Sequence, residues 1–104
     1  MKYNYYKAMK EDVKNYLEEN ELQLNEDTYN DIYDEMFISD EITGNGSGSY
    51  TFSTYQAEEN ICHNMDLLQE ACEEFCCKPK IDNAEWCDVT IRCYLLDQVL
   101  SEMM

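Results

Sequence analysis

Ala84-Glu85-Trp86-Cys87-Asp88-Val89-Thr90-Ile91-Arg92-Cys93-Tyr94-Leu95-Leu96-Asp97-Gln98-Val99-Leu100-Ser101-Glu102-Met103 decides how the rest of the chain is read. Trp86, Val89, Cys93, Leu96, Leu100 and Met103 follow one another at spacings of 3, 4, 3, 4 and 3. That is an a/d seam. Ile91, Leu95 and Val99 widen the apolar face beyond it. A helix over this stretch, at about 1.5 Å per residue, is about 30 Å long. The expectation is a central helix with the other elements packed around it. A seam this regular also suits a homodimer through the same helix.

Upstream, Cys77-Lys78-Pro79-Lys80 breaks the helical pattern, because a residue before proline is driven out of the α region. Asp82 with Glu85 resembles a cap for the last helix. Before the break, Asn64 is read as capping a helix to about Cys76, with Leu67, Leu68, Ala71 and Phe75 inward. A helix ending near Cys62 starts at Ser53 or Thr54, where Ser53-x-x-Gln56 matches a capping box, and turns Ala57 and Ile61 inward. Two further helices are expected. One spans about Glu26–Ile38, capped by Asn25, with Tyr29, Ile32, Tyr33, Met36 and Phe37 on its apolar face. The other spans Tyr6–Glu18, with Tyr6, Met9, Val13, Tyr16 and Leu17 on one face and Lys7, Lys10 and Lys14 on another. All three glycines fall in Gly44-Asn45-Gly46-Ser47-Gly48. Asn45-Gly46 between Ile42-Thr43 and Tyr50-Thr51-Phe52 signals a short β-hairpin or an ordered loop near residues 40–53. The fold class is therefore mainly α: a small single-domain bundle of four to five helices.

The chain has 104 residues, 23 acidic and 7 basic, for a net charge of −16. That length holds one domain. Leu, Ile, Val and Phe make up only 20 residues, and the core is completed by nine Tyr, six Met, six Cys and one Trp. The charge is concentrated. From Asn15 to Cys77, 63 residues hold sixteen carboxylates and neither Lys nor Arg. Binding nucleic acid directly requires cations against phosphates, so that class is excluded. An anionic membrane surface repels the chain for the same reason. No apolar run approaches a membrane span and the N-terminus lacks an apolar signal core, so the expected compartment is the cytoplasm, with reduced thiols.

Within the cation-free stretch, the carboxylates repeat at helical spacing. Asp27, Asp31, Asp34 and Glu35 stand at i, i+4, i+7 and i+8, and Asp66, Glu70, Glu73 and Glu74 repeat the pattern. Like charges one turn apart destabilise a helix by a few tenths of a kcal/mol each. Two such rails read either as solvated faces or as an anionic surface for a basic protein partner. Sixteen charges match about 27 Å of duplex DNA, close to the width of a compact chain whose radius of gyration is near 13 Å. The charge suffices for a nucleic-acid mimic.

Other chemistry is sparse. The six cysteines contain no C-x-x-C. Cys62, His63, Cys72 and Cys76 are the set a small metal-binding or thiol regulatory module would use; the plainer reading is buried free thiols. His63 is the only histidine, which excludes a two-histidine di-iron site, and Glu59 lies one turn before it. No nucleophile is spaced with that pair, so no enzyme and no cofactor are expected. The glycine run lacks a P-loop's ending and an EF-hand's ligands. Asp88 and Arg92, the only Arg, stand at i, i+4 and are read as a structural ion pair reaching toward the Ser47–Tyr50 loop.

Ile42-Thr43-Gly44-Asn45-Gly46-Ser47-Gly48-Ser49-Tyr50-Thr51-Phe52 and Cys87-Asp88-Val89-Thr90-Ile91-Arg92-Cys93-Tyr94-Leu95-Leu96, with Glu58-Glu59 and Asn64-x-Asp66-Leu67-Leu68, resemble a family of small acidic proteins of unknown function. That family is associated with phages and integrative elements of Gram-positive gut bacteria. The likeness spans about residues 28–100. It divides the domain into a Lys-bearing helix and turn, 1–24, and a family-like core, 25–104. What the resemblance implies is a mobile-element setting, where small acidic proteins sometimes inhibit host-defence nucleases.

Overall fold

The structure is a computed structural model that describes residues 2–45 and 54–104. Five helices lie among the described residues: α1 (Tyr5–Glu19), α2 (Tyr29–Phe37), α3 (Thr54–Cys62), α4 (Met65–Glu74) and α5 (Ala84–Met103). The last runs over the residues its seam predicts. All four shorter helices pack on α5, and of those four only α3 and α4 approach each other in backbone contact. The radius of gyration is 13.5 Å and the principal extents are 38 × 28 × 26 Å.

α5 is buried on more sides than a seam requires. Only Glu85, Asp97, Gln98, Ser101 and Glu102 along it are exposed. Leu96, Val99 and Leu100 meet Met9 and Val13 of α1 and Ile32 and Met36 of α2 in one core cluster. Cys87, Ile91 and Leu95 meet Tyr5, Ile61, Leu68 and Cys72 in a second. The middle of the seam, Cys93, Leu96 and Leu100, is thus filled by the chain itself.

Helix ends follow local chemistry, and several differ from the sequence expectation. α1 begins earlier because the Asn4 side chain accepts the Lys7 N–H at 3.0 Å. It ends in a Schellman turn: Leu22 N–H reaches Leu17 O at 2.9 Å, Glu21 N–H reaches Glu18 O at 3.2 Å, and Glu21 sits at φ 52°. α2 starts three residues later than expected. Asn25 Oδ1 accepts from the Asp27 and Thr28 N–H groups, and the Thr28 hydroxyl donates to Gln23 O at 2.7 Å. Those bonds close a turn in place of the first helical turn, so Asp27 precedes the helix. Asn64 holds the N-cap position of α4, yet its side chain donates to Asn60 O and Tyr3 O. It ties the segment before α1 to the α3–α4 corner. Phe75 is 43% exposed, not inward, because α4 stops at Glu74 and the chain reverses through Cys76 at φ 52°. α5 is capped by Asn83, which accepts the Trp86 N–H at 3.1 Å, one residue after the expected Asp82.

Among the described residues there is no strand of the expected β-hairpin. Ile42 and Thr43, its expected first strand, form a turn with both residues buried. The Thr43 hydroxyl donates to Phe37 O at 2.7 Å, Thr43 and Gly44 N–H groups both reach Ser39 O, and Gly44 takes φ 78°. Ending α2 took the backbone donors that a strand ladder would have used. The second flank, Tyr50-Thr51-Phe52, and the Ser53 capping box lie outside the described residues, as does any reach of Arg92 toward Ser47–Tyr50.

Candidate functional site

The carboxylate rails are placed by the amphipathic order of their helices. Ile32 and Met36 turn α2 inward, and Leu68, Ala71 and Cys72 turn α4 inward. The opposite faces then carry Asp31, Asp34 and Glu35, and Asp66, Glu70, Glu73 and Glu74. All of these, and Asp27 in the preceding turn, are exposed. Their partners are few. Glu35 accepts from the Tyr16 hydroxyl at 2.6 Å, and Glu73 from Gln69 at 3.2 Å. Among the described residues, Lys2–Asp66 at 3.8 Å is the ion pair that joins a lysine to a rail.

The single arginine is not on the surface. Arg92 Nε lies 3.2 Å from Asp88 Oδ2 with both side chains buried, as their spacing foretells. The Tyr5 hydroxyl donates to Asp88 Oδ1 at 2.6 Å. Arg92 also acts on its neighbours: burial raises the pKa values of Tyr3 and Asp12 above their ordinary values, and the guanidinium opposes both shifts. With Asp88 and Arg92 cancelling inside, the net charge belongs to the other 22 carboxylates and six lysines, every lysine exposed.

Because α2 and α4 both pack on α5 without meeting, a groove of about 420 Å³ opens between them. Tyr29, Asn30 and Tyr33 line it from α2, Glu74 and Phe75 from the end of α4, and Cys93, Tyr94, Asp97 and Gln98 from α5. The Tyr29 and Tyr33 rings stack at 6.1 Å and 16°, and Phe37 continues the row at 5.9 Å from Tyr33. The Tyr29 hydroxyl donates to Asp97. Tyr33 has a raised pKa, first through burial, then through Cys93 and the nearby charge of Asp34. Glu74 is the one rail residue on this groove. Asp66 and Glu70 line a second, of about 450 Å³, against Lys2, Tyr3 and Tyr6; the α2 rail lines neither.

Sequence reasoning named both rails but treated Tyr29 and Tyr33 as core and passed over Tyr94 and Asp97. The i, i+4, i+8 row of Tyr29, Tyr33 and Phe37 was a usable signal for an aromatic ladder. Asp97 had none, since its role depends on a tyrosine 68 residues away.

The thiols divide by exposure. Cys62, Cys76 and Cys77 are exposed, and Cys72, Cys87 and Cys93 are buried. Burial first, then a hydrogen bond with Cys77, pushes Cys72 up to about 11. The pair meets because the turn ending α4 is a second Schellman motif, in which Cys77 N–H reaches Cys72 O at 2.9 Å. Burial likewise pushes Cys93 up to about 11, opposed by a hydrogen bond with Thr43. No group of three or more His, Cys, Asp or Glu side chains among the described residues is placed to hold a metal, so Cys62, His63, Cys72 and Cys76 do not converge. His63 and Glu59 are both exposed. No described helix is long and apolar enough to cross a membrane.

Compared with known proteins, the chain matches no family model, no curated protein and no solved structure.

Proposed function

We propose that this chain is a non-enzymatic interaction protein that presents its carboxylate rails to a basic protein partner. In its sharpest form it stands in for nucleic acid toward a DNA-binding protein or a host-defence nuclease, in the setting of a mobile element. One observation carries the reading. All eight rail carboxylates are exposed, while the only arginine is spent on a buried aspartate. An excess of one charge arranged this way raises the encounter rate with a basic surface and makes binding sensitive to salt. The longest dimension, 38 Å, also exceeds the about 27 Å of duplex that sixteen charges match.

The test is capture of purified basic DNA-binding proteins and nucleases by the immobilised chain, at low and high salt. Binding that weakens steeply with salt and is displaced by duplex DNA supports mimicry. Salt-sensitive binding that duplex DNA does not displace keeps the acidic surface and removes the mimicry. Binding indifferent to both removes the proposal.

A further inference from the structure

We infer that the groove between α2, the end of α4 and α5 is the specific pocket of this acidic surface, and that it takes an arginine side chain from a basic segment of the partner. This rests on the interaction reading above and names the chemistry of its contact. Three observations support it. The first is shape: α2 and α4 stand apart on α5 and leave about 420 Å³ uncovered, room for a side chain and its flanking backbone. The second is lining. Tyr29, Tyr33, Tyr94 and Phe75 supply aromatic surface, Glu74 and Asp97 supply carboxylates, and no lysine or arginine of the described chain lines the groove. The third is arrangement. The Tyr29–Tyr33 stack and the Tyr29 hydroxyl on Asp97 hold the aromatic wall and one carboxylate in place before any ligand arrives, so less ordering is needed on binding.

This combination selects a cation that is flat and weakly hydrated. A guanidinium can stack on a ring and also donate two parallel hydrogen bonds to a carboxylate, whereas an ammonium is a compact, strongly hydrated point charge. Arginine is therefore favoured over lysine. The α2 rail differs in this respect: it lines neither groove, and its exposed charge attracts either cation alike.

The experiment uses fluorescently labelled hexa-arginine and hexa-lysine peptides, titrated by anisotropy at low salt against the full chain and two variants of equal charge. The groove variant is Glu74→Gln with Asp97→Asn. The control is Asp27→Asn with Asp31→Asn, which removes the same charge away from the groove. The expected result is that hexa-arginine binds more tightly than hexa-lysine, and that the groove variant weakens hexa-arginine about tenfold more than the control does. Glu74→Gln alone, on an exposed side chain, shows the same preference at smaller size if the double variant fails to fold. Equal weakening by groove and control variants overturns the pocket and leaves the acidic-surface reading standing. Absence of salt-sensitive binding by either peptide overturns both.

Discussion

From Tyr94 to Met103, α5 buries Leu95, Leu96, Val99 and Leu100, and most of these meet the apolar side chains of α1 and α2. From Ala84 to Cys93 the same helix buries Cys87 and Ile91 under α3, α4 and Tyr5, and with them Asp88, Thr90, Arg92 and Cys93. The C-terminal half is held by area removed from water, worth about 1.5–3 kcal/mol for a fully buried Leu. The N-terminal half adds to its apolar contacts matched polar groups, which stabilise only while each keeps its partner. One half therefore tolerates change in proportion to volume, and the other fails when a single partner is lost.

The largest effect should come from breaking that match. Arg92→Met leaves the Asp88 carboxylate buried without its cation and should cost about 3–5 kcal/mol in urea denaturation. Replacing both, Asp88→Leu with Arg92→Met, should recover part of the loss, the remainder reflecting the Tyr5 hydroxyl's lost acceptor at Asp88. A double variant as unstable as the single one would mean that the pair is needed for more than mutual compensation.

The apolar half should respond to size. Leu96→Ala or Leu100→Ala should each cost about 2–5 kcal/mol through lost burial and a cavity, with no second substitution at the ion pair able to restore it. A loss below about 1 kcal/mol would show that α1 and α2 collapse onto the space, against the dense packing expected of a core.

Two adjacent tyrosines give a finer contrast. Tyr5 donates to the Asp88 carboxylate, whereas the buried Tyr6 hydroxyl has no partner among the described residues. Tyr5→Phe should cost about 1.5–3 kcal/mol and Tyr6→Phe should be neutral or stabilising, compared by thermal melting.

The smallest effect lies at the surface, where Tyr16 meets Glu35. Burial first, then that hydrogen bond, pushes the Tyr16 hydroxyl up to about 12 from 10.0. A raised value favours the neutral form in the folded chain, so its contribution is complete below pH 10 and lost as pH rises toward 12. Tyr16→Phe should flatten that part of the stability–pH curve, and an unchanged slope would place the titration elsewhere.

What the sequence made legible divides along the same line. α5 was legible over its whole length because an a/d seam that continues from Trp86 to Met103 leaves little room for another reading. The Asp88–Arg92 pair was legible as spacing, but its burial was not, since an i, i+4 pair is more often solvated. Asn25 misled because a good N-cap residue can also close a turn of its own. Phe75 misled because helical periodicity was extended past the residue where α4 ends. The rails were legible as exposed faces. The groove was not, because it exists only where two helices distant in sequence fail to meet.

The most direct measurement of the central claim is the affinity of the chain for a purified basic DNA-binding partner across a range of salt, before and after neutralising Asp27, Asp31, Asp34 and Glu35. The account predicts weaker binding and a shallower salt dependence in the neutralised chain, with its melting temperature held or raised. Affinity and salt dependence both unchanged by the four substitutions would contradict it.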